Sequence, residues 1–406
     1  MTRKEPTELG ADIQGATRLA FEATSGITDM VEVMHSTISR APGILGKKVE
    51  QPTKGITGLV YRTIRSVIGS IGQKTDLLMD KLAPVLDIDH SGEKRDLVLA
   101  TLNGVLGDYL HEKENPLVIP LVLKHNGKVI DLDIASQYQE QDISTGKLLI
   151  AVHGLCMCDQ LWTRSGHNHG MELSVELGYV PIFTSYNSGL HISTNGQGLA
   201  DRIEKLVAQW PVEVTQIDFI GYSMGGLIIR SACEYGSVAE HTWRSKLKNM
   251  IFLGSPHHGA PLERAGNLVD ILLEKSPYTA PIACLGKRRS SGITDLRFGY
   301  LLDEDWLQID PSENSDHKKQ SVPLPEDVRS FAIAGSRTEG SNYIGQNIIG
   351  DGLVPVKSAL GIHDNPKYHL NFAKDNQHIV RGTHHLDLLS SQEAYQKMLD
   401  WLRPRK

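Results

Sequence analysis

The chain has 406 residues, 40% of them hydrophobic and 22% charged, and a formal net charge of −6. This balance excludes a disordered or fibrous polymer, and the length favours one large domain with a smaller companion. The net negative charge gives no electrostatic case for a nucleic-acid partner, and the short stretch GKRRSS around Arg288 and Arg289 reads as a solvated loop.

The opening MTRKEPTELGADIQG has no apolar run of the kind a signal peptide needs. The longest apolar runs, such as LLIAV at Leu148–Val152, are too short to span a bilayer. Few cysteines in a long chain suit a reducing compartment, so the expected location is cytoplasmic. Cys156 and Cys158 stand one residue apart, which suits neither a relaxed disulfide nor a zinc knuckle. No metal and no cofactor are expected.

Residues 1–112 read as an N-terminal helical region. Ile56, Leu59, Val60, Ile64, Val67, Ile68 and Ile71 fall on one helical face, with Arg62 and Arg65 off it. Further helices are expected over Gly26–Ile38, over Asp76–Leu86 until Pro84 interrupts it, and over Asp96–Leu110. These helices either pack on the main domain or a second subunit, or make a peripheral membrane contact through an apolar face with arginines beside it.

Residues 113–406 alternate strands and helices, which points to an α/β domain with a mostly parallel sheet covered on both faces. LVIPLVLKHNGKVIDLDI reads as a hairpin turning at Asn126-Gly127. KLLIAVHG, YVPIFTSYN, IDFIGYS, LKNMIFLGSP and VRSFAIAGS read as strands. NGQGLADRIEKLVAQW, MGGLIIRSACEYG and SQEAYQKMLDWL read as helices. A cap insertion is expected over about 256–327, where Leu268, Val269, Ile271 and Leu272 either line an acyl pocket or pack the cap.

The chemistry concentrates in a few short segments. Gly221-Tyr222-Ser223-Met224-Gly225 joins an apolar strand to an apolar helix, the context of a nucleophile elbow. There the glycines keep strand and helix from clashing, and the helix N-terminus favours negative charge beside Ser223. A serine hydroxyl needs a base, and the base an orienting acid. Asp351, between two glycines in IIGDGLVPVKSAL, is the candidate acid.

His385 in RGTHHLDLLS is the candidate base ahead of His384, because it opens the apolar HLDLL that fixes its loop. His363 and His378 are weaker alternatives, and Asp387 reads as a helix-start residue. The oxyanion donors expected are the amides of Met224, next to the nucleophile, and Leu155, after the sharp turn at Gly154. His153 reads as a structural hydrogen-bonding residue, as do His257 and His258 in GSPHHGAP. SYNSGLHISTNG reads as a wall of the site.

Taken together, AVHGLCMCD, YNSGLHISTNG, GYSMGG, GSPHHGAP, GDGLVP and HHLDLL resemble, in that order, the serine lipases and esterases of the α/β-hydrolase superfamily. The likeness is nearest to bacterial triacylglycerol lipases and the related GPI inositol-deacylase-like hydrolases. It covers roughly Leu117 to Leu402 and departs at Cys156-Met157-Cys158, where small residues are usual. It implies Ser223 as nucleophile, Asp351 as acid, His385 as base and Leu155 and Met224 as oxyanion donors, on an eight-stranded sheet with a mobile cap.

The expected activity is hydrolysis of a small-molecule carboxylic ester or lipid through an acyl-serine. Transfer of the acyl group to an alcohol, or a non-catalytic binding protein on the same fold, are the alternatives.

Overall fold

The computed structural model describes residues 92–132, 145–260, 290–307, 319–339 and 350–403. The helices expected before residue 92 lie outside the described residues, as do Leu268, Val269, Ile271, Leu272, Cys284, Arg288, Arg289 and most of the expected cap. The chain divides into two units, Met1–Arg95 with Glu112–Leu117, and Asp96–His111 with Val118–Lys406. The second unit carries the sheet.

Eight strands run β1 (Val122–His125), β2 (Lys128–Val129), β3 (Lys147–Val152), β4 (Val180–Ser185), β5 (Gln216–Tyr222), β6 (Leu247–Leu253), β7 (Arg329–Ser336) and β8 (Gln377–Arg381). Their order across the sheet is β2-β1-β4-β3-β5-β6-β7-β8. β1 pairs antiparallel with both β2 and β4, and every other pairing is parallel. This is an α/β-hydrolase fold.

The hairpin turns where the sequence places it. Asn126 at φ 49° and Gly127 at φ 74° both take the left-handed conformation that a two-residue turn matched to strand twist requires. Residues of β3 to β7 are buried almost throughout, because helices cover both faces and leave no solvated side for polar alternation. β8 differs. Its QHIVR is largely half-buried at the sheet edge, so it lacks the continuous apolar run that marks the central strands.

On one face, Leu149, Ala151, Ile220, Tyr222, Ile251, Leu253, Phe331 and Ile333 share a core with Leu173 of α2 (His169–Leu177) and Met398 and Leu399 of the C-terminal helix Gln392–Leu402. These are alternate strand positions, as period-two side-chain geometry demands. α2 is an element that the hydrophobic pattern alone does not suggest. Its signals are the Asn168 side chain accepting from the Met171 amide and Gly178 closing it at φ 71°.

α3 (Ile192–Gln209) packs on α4 (Met224–Val238), and α4 packs on β3, β5 and β6. Chain order reverses around β3, which lies between β4 and β5. The loops leaving the carboxyl ends of β3 and β5 therefore face each other across a switch point, where open α/β sheets place their chemistry.

α1 (Gly92–Glu112) is the long helix expected over Asp96–Leu110. Over Asp96–His111 it buries Leu99, Leu102, Val105, Leu106 and Leu110. Among the described residues, no helix is long and apolar enough to cross a membrane.

Candidate active site

Ser223 sits between β5 and α4 at φ 52°, ψ −122°, a conformation L-residues rarely adopt and that costs on the order of 1–3 kcal/mol. Two backbone bonds hold it there: its amide donates to the Leu253 carbonyl at 2.9 Å, and its carbonyl accepts from the Gly226 amide at 3.1 Å.

The neighbouring glycines are required by close approach. A Cβ on Gly221 would lie 2.6 Å from the Gly226 Cα, and one on Gly225 would lie 2.0 Å from the Val152 carbonyl oxygen. Strand, turn and helix thus pack tightly enough to fix Ser223, and α4 begins at Met224 with its unbonded amides at the serine.

Asp351 occupies a turn with Gly350 at φ 53° and Gly352 at φ 100°. Its Oδ1 accepts from the amides of Leu353 at 3.0 Å and Val354 at 2.8 Å. Its Oδ2 lies 2.7 Å from His385 Nδ1, and the His385 amide donates to the Asp351 carbonyl at 3.1 Å. With the carboxylate ionised, Nδ1 carries the hydrogen and Nε2 keeps a lone pair.

His385 is only 3% exposed, and its Nε2 has no hydrogen-bond partner. Its ring centroid is 5.0 Å from that of Tyr222, the residue before Ser223, whose hydroxyl donates to the His385 carbonyl at 3.1 Å. The imidazole also abuts Gly254, where an added Cβ would meet it at 3.2 Å.

The other acid and base candidates stand elsewhere. His378 faces Glu393 at 2.7 Å, His363 packs its ring on His258 and Tyr368, and Asp387 pairs with Arg164 at 2.8 Å. That pair and a bond from fully buried His169 Nε2 to the Leu388 carbonyl, 2.8 Å, tie the His385–Ser390 turn to the segment entering α2.

The loop after β3 passes directly beside the serine: a Cβ on Gly154 would lie 3.1 Å from the Ser223 Cβ. His153 is fully buried, stacks on Tyr186 with centroids 4.1 Å apart, and donates from Nδ1 to the Gly154 carbonyl at 2.8 Å. Burial pushes its pKa down to about 4, so it is a neutral scaffold group at ordinary pH.

Next, Cys156 takes φ 57°, and its amide donates to Ser188 Oγ at 3.0 Å. Ser188 belongs to the SYNSGL loop, whose Asn187 donates from its side chain to the Gly107 carbonyl of α1 and accepts at its own carbonyl from Asn195 of α3. The Cys156 amide is thereby occupied, whereas the Leu155 and Met224 amides have no acceptor among the described residues. Burial raises the thiols of Cys156 and Cys158 to about 12, which keeps them protonated and unreactive.

The GSPHHGAP loop is anchored in part by its backbone: the His257 amide donates to the Ser358 carbonyl at 3.2 Å, and the His258 amide to Ser358 Oγ at 3.1 Å. The rings take part as well: His257 Nδ1 stands 3.5 Å from the Arg230 guanidinium, and the His258 ring lies against His363 and the Gly361 backbone. Among the described residues, no group of three or more His, Cys, Asp or Glu side chains is placed to hold a metal ion.

The strand order, the reversal at β3 and the strained residue at the end of β5 place the chain in the structural class of α/β-hydrolase folds. A domain family described as a domain of unknown function (DUF7379) matches residues 130–287. No curated protein sequence matches the chain.

Among solved structures, the mature lipase BlEst2 of Bacillus licheniformis is 18% identical, with a TM-score of 0.42, covering 64% of this chain and 92% of its own. The esterase Pf2001 of Pyrococcus furiosus is 14% identical, with a TM-score of 0.37, covering 64% of this chain and 81% of its own. A thermophilic esterase of Thermogutta terrifontis is 14% identical, with a TM-score of 0.36, covering 64% of this chain and 90% of its own. Likeness this loose says nothing of what this chain acts on.

Proposed function

We propose that the protein is a serine hydrolase of carboxylic esters that works through an acyl-serine, with Ser223 as nucleophile, His385 as base and Asp351 as its orienting acid. One observation carries the reading: a buried imidazole has Nδ1 held by a buried carboxylate at 2.7 Å and a bare Nε2, in contact with the turn that forces Ser223 into φ 52°.

In this reaction Ser223 Oγ attacks the ester carbonyl while His385 Nε2 takes its proton. The oxyanion accepts from the Leu155 and Met224 amides. His385 then protonates the departing alcohol; in the second half Nε2 takes a proton from the water that attacks the acyl-serine and gives it to Ser223 Oγ as the acid leaves. Asp351 stays ionised and holds the imidazole in the tautomer that accepts at Nε2.

The test is turnover of a chain-length series of nitrophenyl esters together with labelling by a fluorophosphonate. Ser223→Ala is expected to lower kcat by roughly 10⁶-fold and to abolish labelling. No turnover of any ester combined with no covalent label on Ser223 in the native chain would sink the reading.

A further inference from the structure

The Ser223 site leaves one polar segment without a task, TRSGHNHG at Thr163–Gly170. Arg164 and His167 exchange two backbone hydrogen bonds, at 2.9 and 3.0 Å, across Ser165 at φ 52° and Gly166 at φ 76°. Two left-handed central residues make this the tight turn that ordinarily joins paired strands. It sets both side chains toward the turn that carries His385. Arg164 meets Asp387 at 2.8 Å, and His167 Nε2 lies 2.8 Å from Nδ1 of His169, the first residue of α2.

The hydrogens along this line run in one direction. The Leu388 carbonyl can only accept, so His169 Nε2, 2.8 Å away, carries the hydrogen. His169 is fully buried, and burial pushes its pKa down to about 4, so the ring is neutral and Nδ1 keeps a lone pair. His167 Nε2 is then the donor to it. Burial lowers His167 as well, against the field of Glu172, and its Nδ1 faces the Gln392 side-chain nitrogen at 3.4 Å. Tyr395 of the C-terminal helix lies against both imidazoles, with ring centroids 5.1 Å from His167 and 6.2 Å from His169.

Leu388 is where the line reaches the site. Its side chain is fully buried and lies over Gly254 and Gly335, at the carboxyl ends of β6 and β7. A Cβ on Gly254 would lie 2.9 Å from Leu388 Cδ1 and 3.2 Å from His385 Cε1. One on Gly335 would lie 3.3 Å from Leu388 Cδ1 and 2.8 Å from the Asp351 Cβ. Leu388, Asp351 and His385 therefore share the space above the same two glycines. In a close-packed interior a shift of Leu388 passes to its neighbours.

Resting on the reading of Ser223, His385 and Asp351 as the catalytic residues, we propose that His169 is a positioning residue for the acid–base pair. Its Nε2–H holds the Leu388 carbonyl, and the Leu388 side chain in turn holds carboxylate and imidazole in register. The hydrogen donated by His167 keeps His169 in the tautomer that does this. His169 itself touches no substrate and moves no proton.

The experiment compares His169→Gln and His169→Phe in the full chain, by nitrophenyl ester kinetics across pH and by Tm. Glutamine keeps a donor for the Leu388 carbonyl and an acceptor for His167, whereas phenylalanine fills the space and offers neither. His169→Phe is expected to lower kcat about tenfold or more with KM within about twofold, as displacement of a reacting group does. Its acid limb of kcat/KM is expected at lower pH than in the native chain, because a looser carboxylate stabilises the His385 imidazolium less. His169→Gln is expected to restore both. A residue that only supports the fold would lower Tm and leave the acid limb in place.

Leu388→Val tests the second link without touching the buried polar line. It withdraws the side chain from Gly254 and Gly335 by one methylene, and should shift kcat and the acid limb in the same directions. Native kcat and acid limb in a folded His169→Phe or in Leu388→Val, or equal impairment of the Gln and Phe variants, overturns the proposal. A native chain that gives neither turnover nor a fluorophosphonate label on Ser223 overturns the reading of the site, and the proposal with it.

Discussion

Asp351 has both carboxylate oxygens committed before any substrate arrives, one to two backbone amides and one to His385. Asp351→Asn tests what that commitment does. The amide oxygen can keep the Leu353 and Val354 bonds, but the amide nitrogen then faces His385 Nδ1 as a donor and moves the ring hydrogen to Nε2. The fold should stand while kcat falls by about 10⁴-fold, because the imidazole can no longer accept from Ser223. Circular dichroism and nitrophenyl ester kinetics read the two halves of that expectation; loss of structure, or retention of most of kcat, would count against it. Ser223, Asp351 and His385 stand out in the sequence as candidates because each sits in a local pattern, glycines on either side or an apolar run behind. The Tyr222 hydroxyl on the His385 carbonyl and Ser188 on the Cys156 amide were not, since each joins residues more than thirty positions apart.

At the scale of elements, the central strands announced themselves as apolar runs, and β8 did not, because its edge position leaves it half solvated. α1 shows a second kind of opacity. Gly104 and Gly107 in a helix read as a propensity cost of about 1 kcal/mol each. In the structure they are contact points: a Cβ on Gly104 would lie 2.2 Å from Cys156 Sγ, and one on Gly107 would lie 1.8 Å from Asn187 Oδ1. The glycine face of α1 therefore seats the loop that holds the Leu155 amide, with Ser290 Oγ bonding the Gly104 carbonyl at 2.7 Å. Gly104→Ala must push Cys156 away, at an overpacking cost of about 1–3 kcal/mol. With Leu155 as the proposed oxyanion donor, its displacement should weaken oxyanion stabilisation more than ground-state binding, and kcat is expected to fall about tenfold or more with KM little changed. Gly198→Ala on α3 is the control, since its Cβ would make only an ordinary contact of 3.4 Å with Leu121. Equal effects of the two substitutions would remove α1 from the account.

Across the whole molecule, buried neutral histidines recur in places unrelated by sequence: His153 beside Ser223, His169 bonded to the Leu388 carbonyl behind His385, His258 in the loop after β6. Burial holds the first two at about 4 and the third at about 3, against 6.5 for an unburied imidazole. Between those values the unfolded chain binds protons that the folded chain refuses, so stability is intact above about pH 6.5 and falls as pH drops toward 4. Each fully buried histidine contributes a slope on the order of 1 kcal/mol per pH unit in that window, and His258, being less buried, contributes less. Asp218 and Asp295 act in the opposite sense, because burial raises them and lets the fold take up a proton before the unfolded chain does. Their offset sets in as pH falls through their raised folded values and is complete below 3.8. Urea midpoints measured at half-unit steps from pH 7 to about 4.5 should trace that fall, and His153→Gln should flatten it by the share of one imidazole. A midpoint independent of pH across the range would mean that these histidines are not held neutral by the fold.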